Sequence, residues 1–270
     1  MNGSNPLPPR VLSIAGSDSG GGAGIQADLK AFARCGVHGM TAITAVTAQN
    51  TVAVTAVYPL PGEAIIEQVR AVSEDIGVDA VKIGMLGSAE AIEAVVAALD
   101  LVGEVPVVLD PVMIAESGAR LLDEDAEAAL REGLLTRVTV VTPNLPEGRV
   151  LAQVTSELGE GERLVRAIHE LGPGVVILTG GHRESGGDLF FDGRQVVEIA
   201  GERHPEGAAH GSGCTHSSAL AAQLALGLAP LEAARRAKQI AGESVRAGLR
   251  GLGEGAGPVD VIGLVRAPVI

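Results

Sequence analysis

Short apolar runs alternate with longer amphipathic stretches along almost the whole chain, and few architectures tolerate that alternation. Residues 11–15 (VLSIA) are almost wholly apolar and end in Gly16, as a strand buried on both faces would. Residues 23–35 follow with Ile25, Leu29 and Phe32 on one helical face. Further strands are predicted at 41–48, 52–58, 79–83, 105–110, 138–142 and 175–179. Helical patterns occupy 63–75, 89–99, 123–132 and 160–171. A hairpin is expected across 188–199 around Asp192-Gly193, and Ala-rich helices at 213–227 and 230–250. Such alternation implies an α/β fold, a mostly parallel central sheet with helices on both faces. No Pro/Gly-rich linker divides the chain and no internal repeat is evident. Residues 11–270 are therefore read as one domain behind a loose polar tail, 1–10.

Composition narrows the function. The 270 residues carry 20 Lys+Arg against 33 Asp+Glu, a net charge of −13. A chain this acidic has no general attraction for polyphosphate backbones, so nucleic acid is not an expected partner. Three Phe, one Tyr and no Trp leave it without the stacking platforms of single-strand binders. No run reaches about 18 uninterrupted apolar residues, so no membrane span is expected. The first ten residues lack the apolar core of a signal peptide. Cys35 and Cys214 form neither a disulfide framework nor a zinc pattern, and a reducing cytoplasm is the expected location.

In parallel sheets ligands bind beyond the carboxyl ends of the strands, so the residues there carry the function. The first such loop runs Gly16-Ser17-Asp18-Ser19-Gly20-Gly21-Gly22-Ala23-Gly24 and leads into a helix containing Asp28. Its glycines allow close backbone approach to a ligand and offer amide N–H groups, or else make a flexible turn. Residues 22–27 formally fit a dinucleotide fingerprint, but 42–50 (AITAVTAQN) lack the acid that reading requires. No Walker A sequence occurs. Gln49-Asn50 offers donor and acceptor together, suited to a heterocycle edge or to a turn. Met85 suits an apolar pocket wall or the core. Asn144 and Glu147 fit a helix capping box, while Asp110 and Glu147 together could hold a hydrated Mg²⁺. Gly211-Ser212-Gly213-Cys214-Thr215 opens an Ala-rich helix, whose N-terminus is an anion site. Cys214 in the first turn is expected to have a lowered thiol pKa, whereas Cys35 reads as a small buried thiol.

Taken in order, these blocks resemble the hydroxymethylpyrimidine/phosphomethylpyrimidine kinases of thiamine biosynthesis, within the ribokinase-like superfamily. The resemblance rests on residues 15–30 (AGSDSGGGAGIQADLK), 47–51, 82–86, 109–113, 142–147, 180–182 and 210–215, and spans roughly 11–220. It implies a three-layer ribokinase-like fold and a homodimer. ATP would be the co-substrate and Mg²⁺ the cofactor, and a pyrimidine would be phosphorylated twice. It further implies that Asp28 and Gln49 hydrogen-bond the pyrimidine and that Gly16, Met85 and Val112 line its pocket. Gly211, Ser212, Gly213 and Cys214 would form the anion hole, with Cys214 deprotonating or orienting the substrate hydroxyl. Asn144, Thr179, Gly180, Gly181 and Thr215 would meet the nucleotide, and Asp110 and Glu147 would position Mg²⁺. Two departures stand out. Thr179 occupies a position where the family usually has Lys, and Ala208-Ala209 with Ser212 replace Asn-Thr and Thr. A pyridoxal or pyridoxine kinase and a non-catalytic pyrimidine-binding protein are the rival readings.

Overall fold

The computed structural model describes residues 7–115, 118, 120–123, 125–154, 160–180 and 186–264. Among the described residues nine strands form one sheet in the order β3-β2-β1-β4-β5-β6-β7-β8-β9. They are β1 (Arg10–Asp18), β2 (His38–Gln49), β3 (Val54–Pro59), β4 (Ala80–Ile83), β5 (Val107–Leu109), β6 (Val140–Val141), β7 (Val175–Leu178), β8 (Asp188–Phe191) and β9 (Val196–Ile199). The six from β2 to β7 in this order run parallel. β3 at one edge and the β8–β9 hairpin at the other are antiparallel additions.

The parallel strands β4 to β7 are buried at every position, because helices cover both faces. On one side lie α2 (Gly62–Asp75), α3 (Ala89–Leu99), α4 (Ala126–Ala129), α5 (Leu145–Ala152) and α6 (Glu160–His169). On the other lie α1 (Gly24–Cys35), α7 (Ser212–Ala225) and α8 (Pro230–Arg246). Each side has its own apolar core. Leu12, Ile14, Val81 and Leu109 point into the first, and Val11, Ala80, Val108 and Val140 into the second. This alternation along each strand is the physical content of the apolar runs.

The expected helix at 123–132 departs from regularity. After Ala126–Ala129 the chain widens into a π turn at Leu130–Leu134 and tightens into a 3₁₀ turn at Leu135–Arg137. Leu130, Leu134 and Leu135 are all buried, so packing against α3 overrides the regular period.

The strand order reverses between β1 and β4, which lie side by side although connections leave them in opposite directions across the sheet. A crevice opens at such a switch point, at the carboxyl ends of the strands. Gly16 sits there, at a register shift in the β1–β2 pairing between Ala15 and Ser17. A β-carbon on Gly16 would stand 2.7 Å from the Met85 methyl.

Candidate active site

A cavity of about 260 Å³ occupies that crevice. Gly16, Gln49, Met85 and Val112 line it, together with Asp110, Asn144, Glu147 and Thr179 and with Gly211, Ser212, Gly213 and Cys214. Twelve residues singled out in the sequence thus share one space. Four further expectations end differently.

Asp28 does not reach the cavity. It is fully buried in α1, where its carboxylate accepts from Ser13 Oγ (2.6 Å), Ser218 Oγ (2.7 Å) and Lys82 Nζ (2.9 and 3.0 Å). With both oxygens engaged, it has no free acceptor for a pyrimidine. Thr215 is likewise fully buried and lies off the cavity wall. Gly180 is buried and donates its N–H to Asp188 Oδ1 at 2.8 Å, so that amide is not open to a nucleotide. Gly181 lies outside the described residues.

The glycine-rich loop also closes on itself. Gly20 N–H donates to Asp18 Oδ1, and the Gly22 and Ala23 N–H groups donate to Asp18 Oδ2, at 2.8–2.9 Å. Its amides are therefore gathered around a buried carboxylate rather than free. Burial pushes the Asp18 carboxyl up, but His210 and these N–H groups outweigh it and hold the pKa below its usual value. Close approach does need the glycines. A β-carbon on Gly211, the left-handed N-cap of α7, would stand 1.8 Å from the Gly22 carbonyl oxygen.

At the tip of α7, Ser212 N–H donates to the Ala209 carbonyl and Thr215 N–H to the Gly211 carbonyl. That leaves Gly213 and Cys214 as the amide donors facing an anion. The lowered thiol pKa expected of Cys214 is reversed: burial pushes it up to about 12, with Asp28 and Asp110 adding to the rise. Lys82 and the Gly24 N–H pull the other way without compensating. At neutral pH Cys214 in this cavity is a thiol.

Asp110 and Glu147 are both buried. Burial, then repulsion from Asp110, pushes Glu147 up to about 8, even though the N–H groups of Asn144 and Met113 donate to it. Burial raises Asp110 as well, against the pull of Lys82 and the Ser217 hydroxyl, which donates to it at 3.0 Å. The capping box is real: Asn144 Oδ1 accepts from Glu147 N–H and Glu147 Oε2 from Asn144 N–H, each at 2.9 Å.

Lys82 went unassigned in the sequence. Among the described residues it is the largest charged side chain with no exposure, it lines the cavity, and its charged form is held by Asp28, with Asp110 adding to it, against the effect of burial. The signal was a lone Lys inside the apolar run 79–83, since Lys is almost never buried without a partner. Asp18, His210, Asp188 and His216 also line the cavity without having been singled out.

A mostly parallel α/β sheet and a helix N-terminus sharing one cavity with two buried carboxylates, without a Walker A loop, fit a small-molecule kinase of the ribokinase-like class. Pyridoxal kinase from Staphylococcus aureus, solved in complex with ADP, superposes with a TM-score of 0.87 at 32% identity, covering 97% of this chain and 96% of that one. The phosphomethylpyrimidine kinase family model matches residues 18–260. Hydroxymethylpyrimidine/phosphomethylpyrimidine kinases from Bacillus subtilis (strain 168) and Rhizobium meliloti (strain 1021) are 44% and 47% identical. They align over 93% and 92% of this chain and 94% and 95% of their own length. The chain belongs to the phosphomethylpyrimidine kinase family.

Proposed function

We propose that this chain transfers the γ-phosphoryl group of ATP to the hydroxyl of 4-amino-5-hydroxymethyl-2-methylpyrimidine. A second transfer, to the monophosphate, then gives the diphosphate used in thiamine diphosphate synthesis. The observation that carries this reading is the shared cavity. An amide-bearing, apolar part (Gly16, Gln49, Met85, Val112) and an anion-binding helix tip (Gly213, Cys214) open into one space. Gln49 keeps its side-chain NH₂ for a ligand, since its Oε1 already accepts from Thr47 Oγ1 at 3.2 Å. Met85 and Val112 would hold the ring by contact, consistent with the scarcity of aromatic residues.

Catalysis in such a site is positioning plus charge stabilisation. The Gly213 and Cys214 N–H groups receive the oxygens of the transferring group. With its pKa pushed up to about 12, Cys214 acts by orienting the substrate hydroxyl rather than as the resting base. Lys82 offsets negative charge beneath the helix tip. The residues fit Mg²⁺: Asp110 and Glu147 are two buried carboxylates, each raised by burial and Glu147 further by Asp110, a donor pair that a hydrated divalent cation relieves. When bound, the cation supplies charge neutralisation on the phosphates. Asn144 and Thr179, which line the same cavity, would meet the nucleotide.

The kinase unit is one domain from residue 11 onward, working in the cytoplasm as a homodimer. The dimer reading is supported by the edge of the sheet, where Val46, Val57 and Tyr58 of β2 and β3 are exposed. Among the described residues no helix is long and apolar enough to cross a membrane.

The deciding experiment is ATP turnover on three acceptors: the hydroxymethylpyrimidine, its monophosphate and pyridoxal. Formation of the pyrimidine diphosphate is expected. Transfer to pyridoxal with none to the monophosphate would replace this reading with a pyridoxal kinase. No transfer to any acceptor would leave a pyrimidine-binding protein.

A further inference from the structure

The cavity that must take a polyanion is itself acidic. Asp18, Asp110, Glu147 and Asp188 line it, against Lys82, His210 and His216. Lys82 is committed to Asp28, and His210 Nε2 lies 3.1 Å from Asp18 Oδ2. Thr179 brings no charge. Of the basic groups on the wall, this leaves His216.

His216 stands on α7, two residues beyond Cys214, and is 4% exposed. Neither ring nitrogen has a hydrogen-bond partner, although the ring lines the cavity. Its Nε2 lies 3.3 Å from Asp188 Oδ2, near enough for attraction but not aligned as a hydrogen bond, and that oxygen too lacks a hydrogen-bond partner. The other Asp188 oxygen is fully used, accepting from Lys238 Nζ at 2.6 Å and Gly180 N–H at 2.8 Å. Asp188 is thus anchored from behind by α8 and from the side by the turn after β7. A buried imidazole whose Nδ1 is unpartnered and whose Nε2 has only this poorly aligned contact is expensive to keep unless something else meets it.

We propose that His216, steadied by Asp188 and through it by Lys238, donates a hydrogen bond to a phosphate oxygen of the bound nucleotide. It supplies there what Thr179 cannot. Asp188 and Lys238 are positioning residues, since Asp188 fixes the ring and Lys238 fixes Asp188. The inference rests on the kinase reading but is separable from it, because nucleotide binding can be measured without any acceptor.

The test is calorimetric titration of the full chain with ADP in the presence of EDTA, which removes any contribution from a divalent cation. His216→Leu should weaken ADP binding by about tenfold to a hundredfold, the worth of one hydrogen bond to a charged group. His216→Gln, which keeps a donor, should recover most of it. Thr179→Lys added to His216→Leu should recover it as well. In turnover assays the Leu variant should raise KM for ATP and leave KM for the pyrimidine unchanged. Unaltered ADP affinity in a folded His216→Leu variant would overturn the proposal. Should that variant fail to fold, the wild-type chain decides: the His216 imidazole resonances, assigned with His216→Gln, must shift on adding ADP, and unmoved resonances would overturn it equally. Failure of the kinase reading has a different signature, namely ADP binding that responds to His216 with no phosphoryl transfer to either pyrimidine.

Discussion

Asp18 and His210 meet at 3.1 Å although 192 residues separate them, and the contact ties the turn after β1 to the residue preceding the N-cap of α7. Asp18 gathers three N–H groups of its own turn. His210 is fixed from the other side, its N–H donating to the Gly257 carbonyl and its carbonyl accepting from Val259 N–H. The tip of α7, the proposed phosphate site, is therefore registered against the glycine-rich loop of the same cavity. His210→Ala should lower kcat by about a hundredfold, the effect of roughly 1 Å of misplacement, while ADP affinity stays within a few-fold. Steady-state kinetics beside an ADP titration check this, and an unchanged kcat would reduce the contact to packing.

The Lys82–Asp28 pair joins β4 to α1 with no solvent on either side chain. Lys82→Met leaves a buried carboxylate without its cation and should destabilise the fold by about 3–5 kcal/mol. Combining it with Asp28→Asn should cost less than the single change. Urea denaturation of the three variants measures this, and equal losses for single and double variants would contradict it.

Cys214 offers a sharper kinetic test. An orienting thiol predicts that Cys214→Ser keeps turnover within about tenfold, while Cys214→Ala loses about a hundredfold. Pyrimidine KM should hardly move in either. Were the Ser variant as slow as the Ala variant, the thiol would be acting as a base instead.

Acid stability follows from Asp188. Burial works against its charge, but His216 and then Lys238 outweigh it and bring the pKa down to about 2 from an ordinary 3.8. A group depressed in the folded state contributes stability that is present above the unfolded value and lost as pH falls through the folded one. Melting temperature should therefore decline between about pH 4 and pH 2, with about 2 kcal/mol at stake. Asp188→Asn should flatten that part of the profile. A variant with the same acid slope as the wild type would place the loss elsewhere.

Much of this was legible in the sequence because strand ends in a parallel sheet all face one way. Naming the residues after each strand was enough to gather Gly16, Gln49, Met85, Asp110, Glu147 and Gly213 into one cavity. Local pattern could not say which polar groups would be taken up by partners far along the chain. Asp28 looked available because Lys82 and Ser218, which occupy it, lie 54 and 190 residues away. The thiol of Cys214 was misjudged for the same reason. A helix N-terminus is visible in sequence, while burial beside Asp28 and Asp110 is not. His216 sat unremarked in an Ala-rich helix because its partner Asp188 belongs to the hairpin at the far edge of the sheet.

The buried knot around Asp28 also sets an order of events during synthesis. Ser13 and Lys82 lie 15 and 54 residues from Asp28 but Ser218 lies 190 residues beyond it, so Ser218 leaves the ribosome long after the other three. Until α7 is made, the nascent chain holds a carboxylate and an ammonium without the helix that roofs them. The strands before α7 can pair as they emerge, but the candidate site comes into being only when α7 docks. A ribosome stalled before α7 would release a chain with most of its sheet and no capacity for phosphoryl transfer.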